Sequence, residues 1–288
     1  MSLKNNKAVQ MLDAAAQGGY GVLGVVTYNM ETVVAALQAA EAKKSPIQIL
    51  LFPWAYHYSP LFVKLVARAC REASIPAALH MDHAQDPDVI RQVAAMDIDG
   101  MPVFDSIMVD MSHFEKEENL SKTRELVQLC RSRGIATEAE PGRIEGGEDG
   151  VKDTAELEGM MTTPEEVEEF IATGIDFLAP AFGNVHGEYG GEENIKLDYE
   201  RLEGIREKCR GRVQVVLHGT NGFPEGIMKK CIKGGVTRIN VNKLVMDDYL
   251  DYVKGVDGPL TKTVEEGTGL IRKKIEEWMD IIGSSGKA

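Results

Sequence analysis

Eight short apolar runs, each followed by a segment of helical periodicity, limit what this chain can fold into more than any other feature. The runs are Gly21–Thr27, Ile47–Phe52, Ala77–Met81, Ser106–Val109, Ile135–Ala139, Phe177–Ala179, Val213–Leu217 and Val236–Val241. The helical segments are Glu31–Lys44, Leu61–Ala73, Pro87–Met96, Asn119–Arg133, Pro164–Ala172, Tyr199–Lys208 and Glu225–Lys233, with a last one from Leu244 onward. Such alternation argues for βαβ units around a parallel sheet. The helix starts agree: Asp86-Pro87 and Thr163-Pro164 set a capping side chain before a proline at the first helical position. In 288 residues, eight such units predict a single-domain α/β fold closed as a (β/α)8 barrel. An open doubly wound sheet is the alternative. Residues 1–18 read as a helix plugging one end of the barrel. The segment from Leu244 reads as a long C-terminal helix broken at Gly258-Pro259.

Composition narrows the partners. A formal net charge of −13, without a strong Lys/Arg cluster, argues against nucleic acid. No apolar run approaches the roughly 18 residues of a membrane span, and no signal-like segment opens the chain. Cys70, Cys130, Cys209 and Cys231 lie far apart with no CxxC pair, so a cysteine metal site is not expected. They read as free, partly buried thiols, which favours a reducing, cytoplasmic location.

Chemistry gathers where the strands end. Two long connections, Pro141–Thr163 and Ala181–Asn194, follow strands and so belong to the C-terminal face, where barrels of this kind build their sites. Strand ends carry Asp82-His83, Asp110, Glu138-Ala139-Glu140, His186-Gly187, His218-Gly219-Thr220-Asn221-Gly222 and Asn240-Val241-Asn242-Lys243. A lone histidine is more often a hydrogen-bonded structural group than a ligand. His57 is read as part of an aromatic rim loop, and His80 as a packing residue facing away from Asp82. His113 is left unassigned. His83, His186 and His218 differ, because three imidazoles with an open fourth position make a catalytic zinc site. Asp82 either orients a ligand, exchanges protons with substrate, or caps a helix. The glycines after His186 and His218 allow close backbone approach, and the HGTNG turn leads into a helix where backbone N–H groups can face an anion.

These motifs bring a family into view. MDHA, DSIMVDMSH, TEAEPGRIEGGEDG, ATGIDFLAPAFGNVHGEYG, LDYERL, VVLHGTNG and RINVNK, in that order, resemble the class II, zinc-dependent fructose-bisphosphate and tagatose-bisphosphate aldolases from about Gly24 to Val245. The resemblance implies a TIM barrel and a lyase that reversibly cleaves a ketose phosphate or bisphosphate, such as fructose 1,6-bisphosphate, through a zinc-stabilised enediolate. By position it makes His83, His186 and His218 the Zn²⁺ ligands, with Asp110 and Glu140 lining a second, buried metal position. It makes Asp82 the acid/base and Glu148 the loop glutamate that helps move the donor's proton. Asn29, Gly187, Gly219 and Asn240 match substrate positions. It also implies an accessory monovalent cation, a small sugar-phosphate substrate, and a homodimer or larger homo-oligomer.

The match is uneven. The family's phosphate-side serine is Asn221 here, and its final Thr/Asp-rich stretch reads Asn240-Val241-Asn242-Lys243, so Asn242 and Lys243 stand where phosphate contacts are expected. Glu188, close to an expected anion, would oppose it. The resemblance therefore reaches a metal aldolase more firmly than any one substrate. A related metal-dependent lyase or aldolase with an altered donor lacking the usual phosphate is the second reading, and a non-catalytic barrel the third.

Overall fold

The computed structural model describes residues 3–148, 151 and 156–288. Eight parallel strands close into a barrel: β1 (Val22–Val26), β2 (Ile47–Leu51), β3 (Ala77–Ala84), β4 (Ser106–Val109), β5 (Ala136–Ala139), β6 (Phe177–Leu178), β7 (Gln214–Leu217) and β8 (Val236–Val241). Each pairs with its sequence neighbour, and β1 closes on β8 with Val22 opposite Arg238 and Gly24 opposite Asn240. The open-sheet alternative is thereby excluded. Outside the strands lie α2 (Met30–Lys43), α3 (Pro53–Tyr58), α4 (Pro60–Glu72), α5 (Pro87–Ala94), α6 (Lys116–Ser132), α7 (Pro164–Ile171), α8 (Tyr199–Cys209), α9 (Glu225–Lys233), α10 (Lys243–Gly255) and α11 (Leu260–Ile281), after an initial α1 (Lys7–Gly18).

Strand alternation explains how the barrel is filled. Leu23, Val25, Ile47, Ile49, Leu79, Ile107, Leu217 and Ile239 are fully buried and belong to the main apolar cluster shared with the helices. The alternate residues point inward. At the N-terminal end they are small or apolar: Val22, Ala78, Ala136, Phe177 and Val216 pack against Ala8, Met11, Leu12 and Ala15 of α1. Asn6 caps α1 by accepting from Val9 N, and its Nδ2 donates to Asp105 O at 2.7 Å, while Lys7 Nζ reaches Ala77 O at 3.0 Å. Further up, the inward residues turn polar: Gln48, His80, Asp82, Glu138, Arg238 and Asn240, none more than 7% exposed.

The helix starts follow the capping chemistry. Asp86 accepts from Asp88 N ahead of Pro87, and Thr163 forms a reciprocal capping box with Glu166 ahead of Pro164. The C-terminal break occurs where Gly258-Pro259 predicts it, between α10 and α11. Two details differ from the sequence reading. The aromatic stretch around His57 is a short helix, α3, started by Pro53 rather than a loop. All four cysteines are fully, not partly, buried, and burial pushes each thiol up to about 12.

Within the long connection 141–163, residues 149–150 and 152–155 lie outside the described part. The rest is stitched in place. Arg143 and Met160 exchange two backbone hydrogen bonds of 2.8 Å, and His186 N donates to Glu145 O at 2.7 Å. The loops after β5 and β6 thus hold each other over the barrel mouth.

Candidate metal centre

The site begins with an irregularity in β3. A regular strand sends adjacent side chains to opposite faces, so Asp82 and His83 should not both look into one cavity. The β3–β4 register shifts between Met81 and Ala84, and His83 takes φ +46°, a left-handed conformation costly for a residue with a Cβ. The bulge turns His83 so that both side chains line the same cavity. The strand runs three residues beyond the apolar run that predicted it, because polar residues carry its last turn of the pleat.

Three imidazoles meet there from β3, the loop after β6 and the end of β7. Their nitrogen donors lie within 4.8 Å of one another. His218 Nδ1 and His83 Nε2 are 3.0 Å apart, and the His83 ring centre lies 4.8 Å from each of the other two. The far nitrogens of two rings face carboxylates. His83 Nδ1 is 2.8 Å from Asp110 Oδ2, and His218 Nε2 is 2.9 Å from Glu138 Oε1. A carboxylate behind a histidine fixes which nitrogen carries the proton and leaves the other free to ligate. Asp110 is braced in turn by Ser112, whose Oγ donates at 2.6 Å. His186 Nε2 is buried without a hydrogen-bond partner, an expensive state for a polar nitrogen unless something else binds it.

Electrostatics point the same way. Burial alone would raise the Asp82 carboxyl, but His83 and His218 outweigh it and hold it well below the usual carboxylate range. Burial resists protonation of His83, yet Asp82 and Asp110 push its pKa up to about 10. His186 goes down, through burial and the positive tendency of its two neighbours. Glu140 goes up, through burial first and Asp110 second; its Oε1 accepts from Ile144 N at 2.8 Å, while Oε2 is buried without a partner. Buried carboxylates around three converging nitrogens therefore favour positive charge at one point. A nitrogen donor set with an orphaned imidazole fits a divalent ion.

The remaining expected residues divide into two groups. Asp82, Glu148, Gly219, Asn221, Asn240 and Asn242 line the cavity with the three histidines. Asn240 Nδ2 donates to Asp82 Oδ2 at 3.1 Å, and Asn242 Nδ2 donates to Glu148 Oε2 at 2.7 Å. Burial pushes the Glu148 carboxyl up. Gly219 has φ +66° and sits so close to Val185 that a Cβ would come within 2.2 Å of its carbonyl oxygen. Asp110 and Glu140 form a separate potential ligand group with His83, away from the cavity lining. Asn29, Gly187 and Lys243 do not line the cavity. Asn29 caps α2 by accepting from Thr32 N and donates to the Tyr249 hydroxyl; Lys243 Nζ pairs with Glu188 at 3.2 Å on the exposed rim. Asp82 caps no helix, since Asp86 takes that place for α5.

One orientation needs correction. His80 does not face away from Asp82: its Nε2 lies 3.5 Å from Asp82 Oδ1. Residues two apart on a strand share a face, so His80 points into the barrel with Asp82. Two further residues join the site without a role assigned from sequence: Glu138, one of the strand-end residues, and Arg238, inside the last strand. The signal for both was a charged side chain inside a run otherwise buried on every side, which demands a partner.

Comparison with known proteins gives the family. Residues 6–287 match the family model described as fructose-bisphosphate aldolase class-II. A Coccidioides immitis (strain RS) relative carrying a provisional fructose-bisphosphate aldolase name is 53% identical over 292 residues, covering 100% of this chain and 96% of that protein. The fructose-bisphosphate aldolase of Streptococcus pneumoniae serotype 4 is 34% identical over 302 residues, covering 98% of each. Among solved structures, a provisionally named fructose-1,6-biphosphate aldolase from Coccidioides immitis superposes with a TM-score of 0.94 at 53% identity, over 99% of this chain and 98% of that one. The YdjI aldolase from Escherichia coli K12 gives 0.82 at 26% identity over 98% of both. With the barrel, the trio of imidazoles and a family match along nearly the whole length, the chain belongs to the metal-dependent class II fructose-bisphosphate aldolase family.

Proposed function

We propose that this protein reversibly cleaves a ketose phosphate, with Zn²⁺ held by His83, His186 and His218 and with Asp82 as acid/base. The observation that carries the reading is the convergence of three imidazole donors within 4.8 Å beside a buried Asp82. When bound there, a divalent ion supplies Lewis-acid stabilisation of the negative charge that develops on the donor during carbon–carbon cleavage. The protein's own groups do the rest. Asp82, held by Asn240, takes the proton of the hydroxyl in cleavage and returns it in addition. Glu148 exchanges the donor's carbon proton. In the observed arrangement Glu148 is tied to Asn242 and the cavity measures about 10 Å³, room for roughly one water-sized particle. Among the described residues no lysine lines the cavity.

Gly187, Gly219, Asn221, Asn240, Asn242 and Lys243, with Asn29 from the α2 side, are proposed to receive the substrate. Asp110 and Glu140 are proposed to offer an alternative metal position with His83, and an accessory monovalent cation is proposed as well. The buried, unreactive thiols suit a reducing compartment, and we propose a cytoplasmic enzyme that works as a dimer or larger assembly, to be tested by light scattering. One observation favours the second reading, an altered donor: Lys243, at a position where a phosphate contact is expected, is already engaged by Glu188. Retro-aldol turnover of metal-loaded and chelator-stripped protein on a panel of ketose bisphosphates, monophosphates and free ketoses decides between them. Turnover of a bisphosphate that stops on stripping and returns with zinc supports the first reading. Preference for an unphosphorylated donor supports the second, and no turnover on any substrate overturns both.

A further inference from the structure

Beneath the three histidines lies a charged network centred on Arg238, which itself takes no part in the proton transfers proposed above. Arg238 is fully buried, the largest such side chain in the barrel, and its partners radiate from one guanidinium. Nη2 pairs with Glu138 Oε2 at 2.5 Å, Nη1 donates to Gln48 Oε1 at 3.0 Å, and Nε donates to Asn240 Oδ1 at 2.9 Å. The other Glu138 oxygen faces His218 Nε2 at 2.9 Å, and the Asn240 amide nitrogen faces Asp82 at 3.1 Å. We infer that Arg238 is a positioning residue for both halves of the site, setting the His218 tautomer through Glu138 and the Asn240 amide orientation through Nε. This rests on the proposed metal-aldolase reading.

The argument is one of donors and acceptors. Paired with a guanidinium, Glu138 stays ionised and can only accept, so His218 must carry its proton on Nε2. Nδ1, the nitrogen 3.0 Å from His83 Nε2, is then left with its lone pair toward the ligand position. Asn240 is fixed by the same logic. Arg238 Nε–H needs an acceptor, so the amide oxygen turns to it and the NH2 group turns to Asp82. The Asn240 amide nitrogen also lies 3.2 Å from His218 Nε2, but with a proton on both nitrogens this contact is not a hydrogen bond. Gly24 makes the arrangement possible: a Cβ there would stand 2.8 Å from Asn240 Oδ1. A single planar fork satisfies three acceptors from β2, β5 and β8 at once, which a lysine point charge cannot do.

The test uses a paired exchange, because Arg238→Met alone would strand a buried carboxylate and endanger folding. In Arg238→Met/Glu138→Gln the charge pair is gone, but residue 138 keeps its shape. A neutral amide can offer His218 either its oxygen or its NH2, so the ring is no longer held in one tautomer. With six histidines in the chain, ¹⁵N-histidine spectra of the metal-free protein can follow the His218 ring directly. The inference expects the Nε2–H form in the wild type, a mixed tautomer in the double variant, and a Co²⁺ affinity lower by about 10–100-fold, the usual cost of removing a partner behind a ligand. Unchanged tautomer and unchanged Co²⁺ affinity in the folded double variant overturn it. Arg238→Lys supplies an independent arm: it keeps the charge for Glu138 but releases Asn240, so kcat should fall while Co²⁺ affinity holds, and unchanged kcat counts against the inference. A wild type that binds no Co²⁺ would sink the metal reading, while the tautomer measurement would still judge Arg238.

Discussion

The two ends of the barrel offer different kinds of opening. At the N-terminal end, beside α1, a cleft of about 990 Å³ is lined by Asp13, Gln17, Arg206, Arg212, Gln214 and Lys233 among others. At the other end the histidine cavity measures about 10 Å³. Volume alone would choose the cleft, while the buried titratable groups converge in the cavity. The ion pair at the edge of the large cleft stands in water: Arg212 pairs with Glu168 at 2.7 Å, but the two side chains are 45% and 42% exposed. Such pairs are screened and contribute little. In the small cavity Asp82, His83 and His218 are 2%, 3% and 1% exposed, and every neighbouring charge acts at low dielectric. Chemistry is built where ionisable groups have lost their water and converge, and open space is a poor guide to that.

The largest effect that would break this contrast is loss of a ligand. His218→Ala should abolish both metal uptake and turnover while circular dichroism still reports a folded barrel. Metal analysis of the purified variant checks it, and full turnover in metal-stripped protein would refute it. Asp82→Ala should act differently. It removes a proton carrier and leaves the three imidazoles, so bound metal persists and turnover falls by about 10²-fold or more. Loss of metal in that variant would move Asp82 to a structural role.

The rim should respond more gently. Glu188→Gln frees Lys243 from its ion pair, and a free ammonium is available to an anionic substrate. At this exposed position the gain is set by nearly aqueous Coulomb attraction, so KM for a phosphorylated ketose should drop by at most about fivefold, with kcat unchanged. A rise in KM would mean that Glu188, not Lys243, contacts the substrate.

How far the sequence speaks differs between these regions. The barrel was legible because short β-branched, mostly apolar runs alternate with helical segments; Ser106–Val109 and Val236–Val241 match observed strands at both ends, even though Arg238 and Asn240 interrupt the second. His83 and His218 were legible as candidate ligands because they stand where those runs stop, and His186 because it lies in the long loop after one. The bulge at His83 was not, since nothing in MDHA marks a left-handed residue; its cost is met by packing from elsewhere in the barrel. His80 shares the inward face with Asp82 because residues two apart on a strand point the same way. Glu138 and Arg238 lie 100 positions apart, and only barrel closure shows that one is the other's counter-ion. Asn29 shows the reverse case: a position matched by resemblance whose side chain is occupied as a helix cap with a capping box of its own.

The smallest expected effect tests the contrast most sharply. Arg212→Ala at the N-terminal cleft removes a guanidinium bonded to both oxygens of Glu168, at 3.1 and 2.7 Å, which drawn on paper resembles the strong pairs inside the barrel. Glu168 keeps a second cation nearby, with Lys208 Nζ at 3.8 Å, so its charge is not abandoned. Both partners are hydrated before and after the change, and no group on the catalytic side touches either. Stability should therefore shift by no more than about 0.5 kcal/mol in urea unfolding, and kcat/KM should stay unchanged. A clear drop in kcat/KM would mean that the two ends of the barrel are coupled, and that the large cleft belongs to the enzyme's function after all.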